Sequence, residues 1–134
     1  MIFRRDIEIP GAKWEQISFR PTDDPSIAPF THAFDLMGDG SMVLLPTPGH
    51  TPGSLSMLVR CDDAPPPLLF IGDLAYGVEL LERGELPPGT GDHKQLRAGF
   101  AKVLALKERM PDLVILAAHD PKAAEALREA SSRR

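Results

Sequence analysis

The chain has 134 residues, 43% of them hydrophobic and 25% charged, with a formal net charge of −4. That length suits one small domain with a real core. The acidic balance, with only the terminal pairs Arg4-Arg5 and Arg133-Arg134 as basic doublets, argues against nucleic-acid or anionic-membrane partners.

The opening residues Met1 to Asp6 lack the apolar core of a signal peptide. No run of the sequence approaches the roughly 20 apolar residues needed to cross a bilayer. Ile7, Ile9, Trp14, Ile17 and Phe19 are scattered among charges, so only short strands near residues 2–4 and 15–19 are expected. Pro21 to Pro29 reads as a turn-rich link. Ala33 to Leu36 and Ser41 to Pro46 read as two strands around an Asp39-Gly40 turn. Pro46-Thr47-Pro48-Gly49-His50-Thr51-Pro52-Gly53-Ser54 follows, a bend stiffened by proline and freed by glycine. The alternating segment Ser54 to Val59 is the next strand.

Cys61 is the only cysteine, so no internal disulfide forms and a reducing cytoplasm fits. It adjoins Asp62-Asp63-Ala64-Pro65-Pro66-Pro67, which reads as an exposed loop, and its role is taken as incidental. Leu68 to Ile71 is short and wholly apolar, as a buried strand is, and ends at Gly72-Asp73. Asp92 is placed to cap a helix, with Gln95 completing a capping box. Leu96, Phe100, Val103, Leu104 and Met110 give that helix its apolar stripe, and Pro111 ends it. Leu113 to Ala117 is a second buried strand, ending near His119. Asp120 then caps a last helix with Pro121 in its first position and Ala124 and Leu127 on a narrow apolar face. The sequence predicts one domain over residues 1–134, with mixed strands and helices.

Three potential ligands share one kind of position. His50 follows the strand 42–45, Asp73 the strand 68–71, and His119 the strand 113–117. Strands of one sheet ending at the same edge would bring them together. Two imidazoles and a carboxylate suit zinc or another divalent first-row metal. Taken singly, a histidine after an apolar strand, such as His119, is more often a hydrogen-bonded structural residue. His50 is favoured as a ligand by its proline-glycine setting, and Asp73 could equally be a turn or capping carboxylate. His32 and His93 have no ligand spacing and read as surface or loop residues.

These segments resemble the C-terminal half of a metallo-β-lactamase-superfamily hydrolase, an α+β αββα sandwich of which this chain would hold a mixed sheet with helices on one side. The Pro48-Gly49-His50-Thr51-Pro52-Gly53 loop is similar to that superfamily's metal-binding loop. Gly72-Asp73-Leu74-Ala75-Tyr76 is similar to the N-acyl-homoserine lactonase branch, and Ala118-His119-Asp120 stands where Gly-His-Asp is usual. The resemblance implies that His50 ligates one metal, Asp73 bridges two, His119 ligates the second, and Tyr76 assists catalysis on a small-molecule lactone or ester. An aspartate at 73, where the best-known zinc β-lactamases carry cysteine, disfavours an antibiotic-degrading role.

The superfamily's His-x-His-x-Asp-His motif is absent from this sequence, which has four histidines in all. The expectation is therefore an N-terminally truncated domain with an incomplete zinc site, weak or inactive as this chain. Three alternatives stand beside it: a single ion held by His50, Asp73 and His119; a non-catalytic remnant or binding module; and one half of a split enzyme. Without the missing half, one apolar sheet face lacks its partner layer, which predicts self-association, such as a homodimer through that face.

Overall fold

The computed structural model describes residues 8–60, 66–89 and 91–132. The strand expected near 2–4 and the Cys61 loop lie outside them. Six strands form one sheet in chain order: β1 (Arg20–Pro21), β2 (His32–Asp35), β3 (Met42–Pro46), β4 (Leu55–Val59), β5 (Leu68–Gly72) and β6 (Val114–Ala117). The first four pairings are antiparallel, and β5 to β6 is parallel. The parallel pairing follows from the crossover between them, which carries the helices α1 (Val78–Glu82) and α2 (His93–Arg109). A last helix, α3 (Ala123–Ser132), follows β6.

The expected strand at 15–19 is not formed; the ladder there is only Arg20–Pro21, opposite Ala33 and His32. Pro21 has no N–H to donate, and charged neighbours give this edge no apolar face to bury. The turn between β2 and β3 is organised by Asp35, whose two oxygens accept from Gly38 and Gly40 N–H, each at 2.9 Å.

Register fixes which side chains share a face. Val43, Leu58, Leu69 and Ile115 are cross-strand partners, all buried. With Leu45, Ile71 and Ala117 they meet Leu81 of α1 and Leu96, Phe100, Val103 and Leu106 of α2 in the core. Of the stripe read from the sequence, Leu96, Phe100 and Val103 are buried, and Leu104 and Met110 are only partly buried. Leu106, absent from that reading, completes the buried face. On the opposite face Phe34, Leu44, Met57, Phe70 and Leu116 form one row across five strands. Leu44 and Leu116 of this row are buried, and Phe34, Met57 and Phe70 are half-buried. α3 runs beside the β6 edge, where Ala123, Ala124 and Leu127 border a groove floored by Phe70 and Leu116.

Two helix starts differ from expectation. Asp92 Oδ1 accepts from Gln95 N–H at 3.0 Å, the expected cap. The reciprocal half of the box does not form, because the Asp92 N–H donates to Gly49 O at 2.7 Å instead. α3 begins at Ala123 rather than Pro121. Residues 121–122 form a turn in which Asp120 Oδ1 accepts from Lys122 N–H. α1 was not foreseen, since five residues are too few to show a helical period. No helix among the described residues is long and apolar enough to cross a membrane.

Leu69 is fully buried at the centre of the sheet. Leu69→Ala should lower the unfolding free energy by about 2–5 kcal/mol, read by urea denaturation. A loss below about 1 kcal/mol would show that this core is loosely packed.

Candidate functional site

Parallel pairing makes β5 and β6 end side by side. Gly72 is opposite Ala117, and the Ala118 N–H donates to Gly72 O at 3.2 Å. Beyond this last rung, Gly72 takes φ 55°, a left-handed conformation that turns the chain sharply before Asp73. The register also shifts between Phe70 and Gly72, a bulge at the strand's end. The two candidate ligands that follow these strands therefore leave the sheet at one place.

The third arrives from the loop between β3 and β4. Thr47 N–H donates to Ser54 O at 3.3 Å, and Thr47 Oγ1 shares a buried 2.9 Å hydrogen bond with Ser56 Oγ. Inside the loop, Gly49 N–H donates to Thr51 O at 3.1 Å and Thr51 Oγ1 pairs with Ser54 Oγ at 2.8 Å. The loop also rests on the start of α2. A Cβ on Gly49 would lie 2.8 Å from Leu96 N, and one on Gly91 2.1 Å from Gly49 O. Only two glycines permit so close an approach.

The result is a carboxylate between two imidazoles. Asp73 Oδ2 lies 3.4 Å from His50 Nε2, and Asp73 Oδ1 lies 3.0 Å from His119 Nε2. Side-chain exposure is 20% for His50, 37% for Asp73 and 60% for His119, so the cluster opens towards His119. The Tyr76 ring stands edge-on to both: its centroid is 4.8 Å from that of His119 and 6.4 Å from that of His50. All four residues singled out from the sequence meet here. His32 and His93 do not join them; both are exposed, His32 on β2 against Thr31 Oγ1 and His93 in the first turn of α2.

Two donors about 2.0–2.1 Å from one ion at a tetrahedral angle are separated by about 3.3 Å. Each His–Asp pair is close to that separation, but the pairs use different carboxylate oxygens. Among the described residues, no group of three His, Cys, Asp or Glu side chains is arranged to hold a metal ion. The geometry thus offers two pairs flanking one carboxylate rather than three donors converging on a point. The donor chemistry suits zinc, while the donor count falls short of the usual four per ion.

Sequence reading missed the fastenings between the loops. Asp120 Oδ2 accepts from Val78 N–H at 3.0 Å, joining the chain after β6 to the start of α1. Beside it Lys122 pairs with Glu79, and hydrogen bonding to the ammonium holds the Glu79 carboxyl below its ordinary range and raises Lys122. The adjacency of Asp120 to His119 was visible in the sequence; its partner was not.

No protein-family model matches the chain. It is 32% identical over 120 residues to the N-acyl homoserine lactonase AttM of Agrobacterium fabrum, an alignment covering 90% of this chain and 41% of that protein. The AttM lactonase of Azorhizobium caulinodans is 31% identical over 127 residues, covering 95% and 44%. A γ-lactamase of Gibberella moniliformis, MBL2, is 36% identical over 78 residues, covering 54% and 32%. Among solved structures, a quorum-quenching N-acyl homoserine lactone hydrolase superposes with a TM-score of 0.58 at 23% identity, over 75% of this chain and 38% of that one. AiiA of B. thuringiensis, with N-decanoyl-L-homoserine bound at its active site, superposes equally well over 75% and 36%. These superpositions establish the fold. The chain carries the metallo-β-lactamase fold as its C-terminal portion. In sequence it is similar to the N-acyl homoserine lactonases, and it spans about two-fifths of the length of the curated lactonases it matches.

Gly91 has φ 87°, and a side chain there would strike the Gly49 carbonyl. Gly91→Ala should therefore unseat the His50 loop from α2. Hydrogen exchange at the Asp92 amide should accelerate by about tenfold or more, and retention of the wild-type rate would contradict this seating.

Proposed function

We propose that this chain supplies the C-terminal share of a metal-dependent lactone-hydrolysing site, and that alone it is weak or inactive. The observation that carries the reading is Asp73, with one imidazole beside each of its oxygens and the Tyr76 ring beside both. In this reading His50 and Asp73 would hold one zinc ion, and His119 and Asp73 would hold a second. The remaining donors belong to a His-x-His-x-Asp-His segment, which this sequence does not contain. Such ions, when bound, lower the pKa of a water and polarise a carbonyl.

The chain's own residues hold and orient. Asp73, accepting from or ligating on both oxygens, keeps the two imidazoles at a fixed separation. Tyr76 is placed to donate its phenol O–H to a lactone or ester carbonyl as charge builds on that oxygen. His119, the most exposed of the set, stands on the side from which substrate enters. The likeness to lactonases supports a small-molecule lactone as substrate, and the lone Cys61 supports a reducing cytoplasm.

The same reading accounts for the second sheet face. Phe34, Met57 and Phe70 lie half-buried in a continuous apolar row, the kind of surface that a further layer covers. We propose that in the isolated chain two copies cover it for each other.

Three measurements test this. Zinc retained after dialysis should exceed background in the wild type and fall in both Asp73→Ala and His50→Ala. Retention that is unchanged in Asp73→Ala, or absent from the wild type, would remove the metal reading. Turnover of an N-acyl homoserine lactone by the zinc-supplemented chain should stay near buffer background; robust hydrolysis would overturn the claim that donors are missing. Light scattering should show a concentration-dependent rise in mass, whereas a monodisperse monomer would refute the paired-face proposal.

A further inference from the structure

Asp120 follows His119 directly, and its carboxylate serves two segments. Oδ1 accepts from the Lys122 N–H at 2.9 Å, within its own turn. Oδ2 accepts from the Val78 N–H at 3.0 Å, across a separation of 42 residues. Val78 opens α1, and the residue before it, Gly77, has no side chain to satisfy that donor. The carboxylate lies directly beside Gly77, 3.6 Å from where a Cβ there would stand, which is an ordinary contact distance. Asp120 is thus the cap of a helix whose own sequence provides none.

The effect of this bond falls on Tyr76, two residues before Val78. Its ring meets that of His119 edge-on, at an interplanar angle of 67°. An edge contact of this kind depends on where the ring is held. The backbone leading into it is tied on one side by the Leu74 N–H to Ile71 O bond, 3.1 Å, and on the other by Asp120. Lys122 and Glu79 bridge the same two segments, but both side chains are about two-thirds exposed, at 68% and 65%. An exposed pair of this type constrains little. A hydrogen bond from a backbone N–H to an ionised carboxylate is shorter, stronger and more directional.

We infer that Asp120 is a positioning residue: by holding the Val78 N–H it fixes the Tyr76 ring against His119. Its importance for hydrolysis rests on the reading of the site given above. The geometric statement stands apart from that reading and is tested without metal or substrate.

Nuclear magnetic resonance of the labelled chain provides the test. In Asp120→Ala the Val78 amide should exchange at least about tenfold faster, and the cross-relaxation between the Tyr76 and His119 rings should vanish. Asp120→Asn keeps one acceptor oxygen and should retain that ring signal. Lys122→Ala, which removes only the exposed pair, should leave it at full strength. Val78→Pro attacks the bond from the donor's side with Asp120 intact. Proline is accepted at a first helical position, and Gly77, at φ −173° and ψ 154°, is already extended as a residue before proline must be. This variant should also lose the ring signal, and it decides the matter if Asp120→Ala does not fold. Persistence of the signal in Val78→Pro, or its loss in Lys122→Ala, would overturn the inference. Failure of zinc uptake or lactone turnover would leave these readouts untouched, so the two readings fail separately.

Discussion

The parallel rung between β5 and β6 is the constraint on which the rest depends. Because Gly72 and Ala117 are paired, the residues that follow must leave the sheet together, and Asp73 and His119 meet without either loop reaching for the other. An antiparallel pairing would send one of them to the far edge. The buried run of α2 beneath the sheet enforces the parallel choice, since its stripe covers Leu69, Ile71 and Ile115 only when the crossover returns to the same face. Core packing and site assembly are therefore the same event.

The remaining pieces are seated by hydrogen bonds that engage backbone groups. The His50 loop rests on the first turn of α2 through the Asp92 N–H to Gly49 O bond, where two glycines let main chain touch main chain. The segment after β6 is held by a carboxylate on a backbone donor. Neither of these contacts is made through a side chain of the cluster. They also explain why the capping box foreseen for α2 stays half-made: the N–H that Gln95 would have satisfied is already engaged by the loop.

Much of this was legible in residue order. Apolar runs of four or five residues gave the positions of β3, β5 and β6, alternation gave β4, and the helical period gave α2. The ligand trio could be read because each member sits just past a strand end, a position the topology converts into proximity. What could not be read has a common physical cause. The strand expected at 15–19, the start of α3 and the helix α1 are short or edge-bound, so packing and single hydrogen bonds decide them rather than periodicity. The partner of Asp120 lies 42 residues away, and no local pattern announces such a bond. The pairing of each imidazole with a different oxygen of Asp73 is likewise a matter of ångströms, to which spacing in sequence is blind.

One feature of composition acquires a use from the structure. Tyr76 is the only tyrosine and Trp14 the only tryptophan. The first lies inside the cluster against His119, and the second is 70% exposed in the segment before β1. The molecule thus carries two intrinsic optical labels in two different environments, one partly buried and one exposed. A phenol signal reports from the candidate site alone, and an indole signal from a part of the chain that takes no share in it. Events at the site and loosening of the leading segment can be told apart spectroscopically in the unmodified protein.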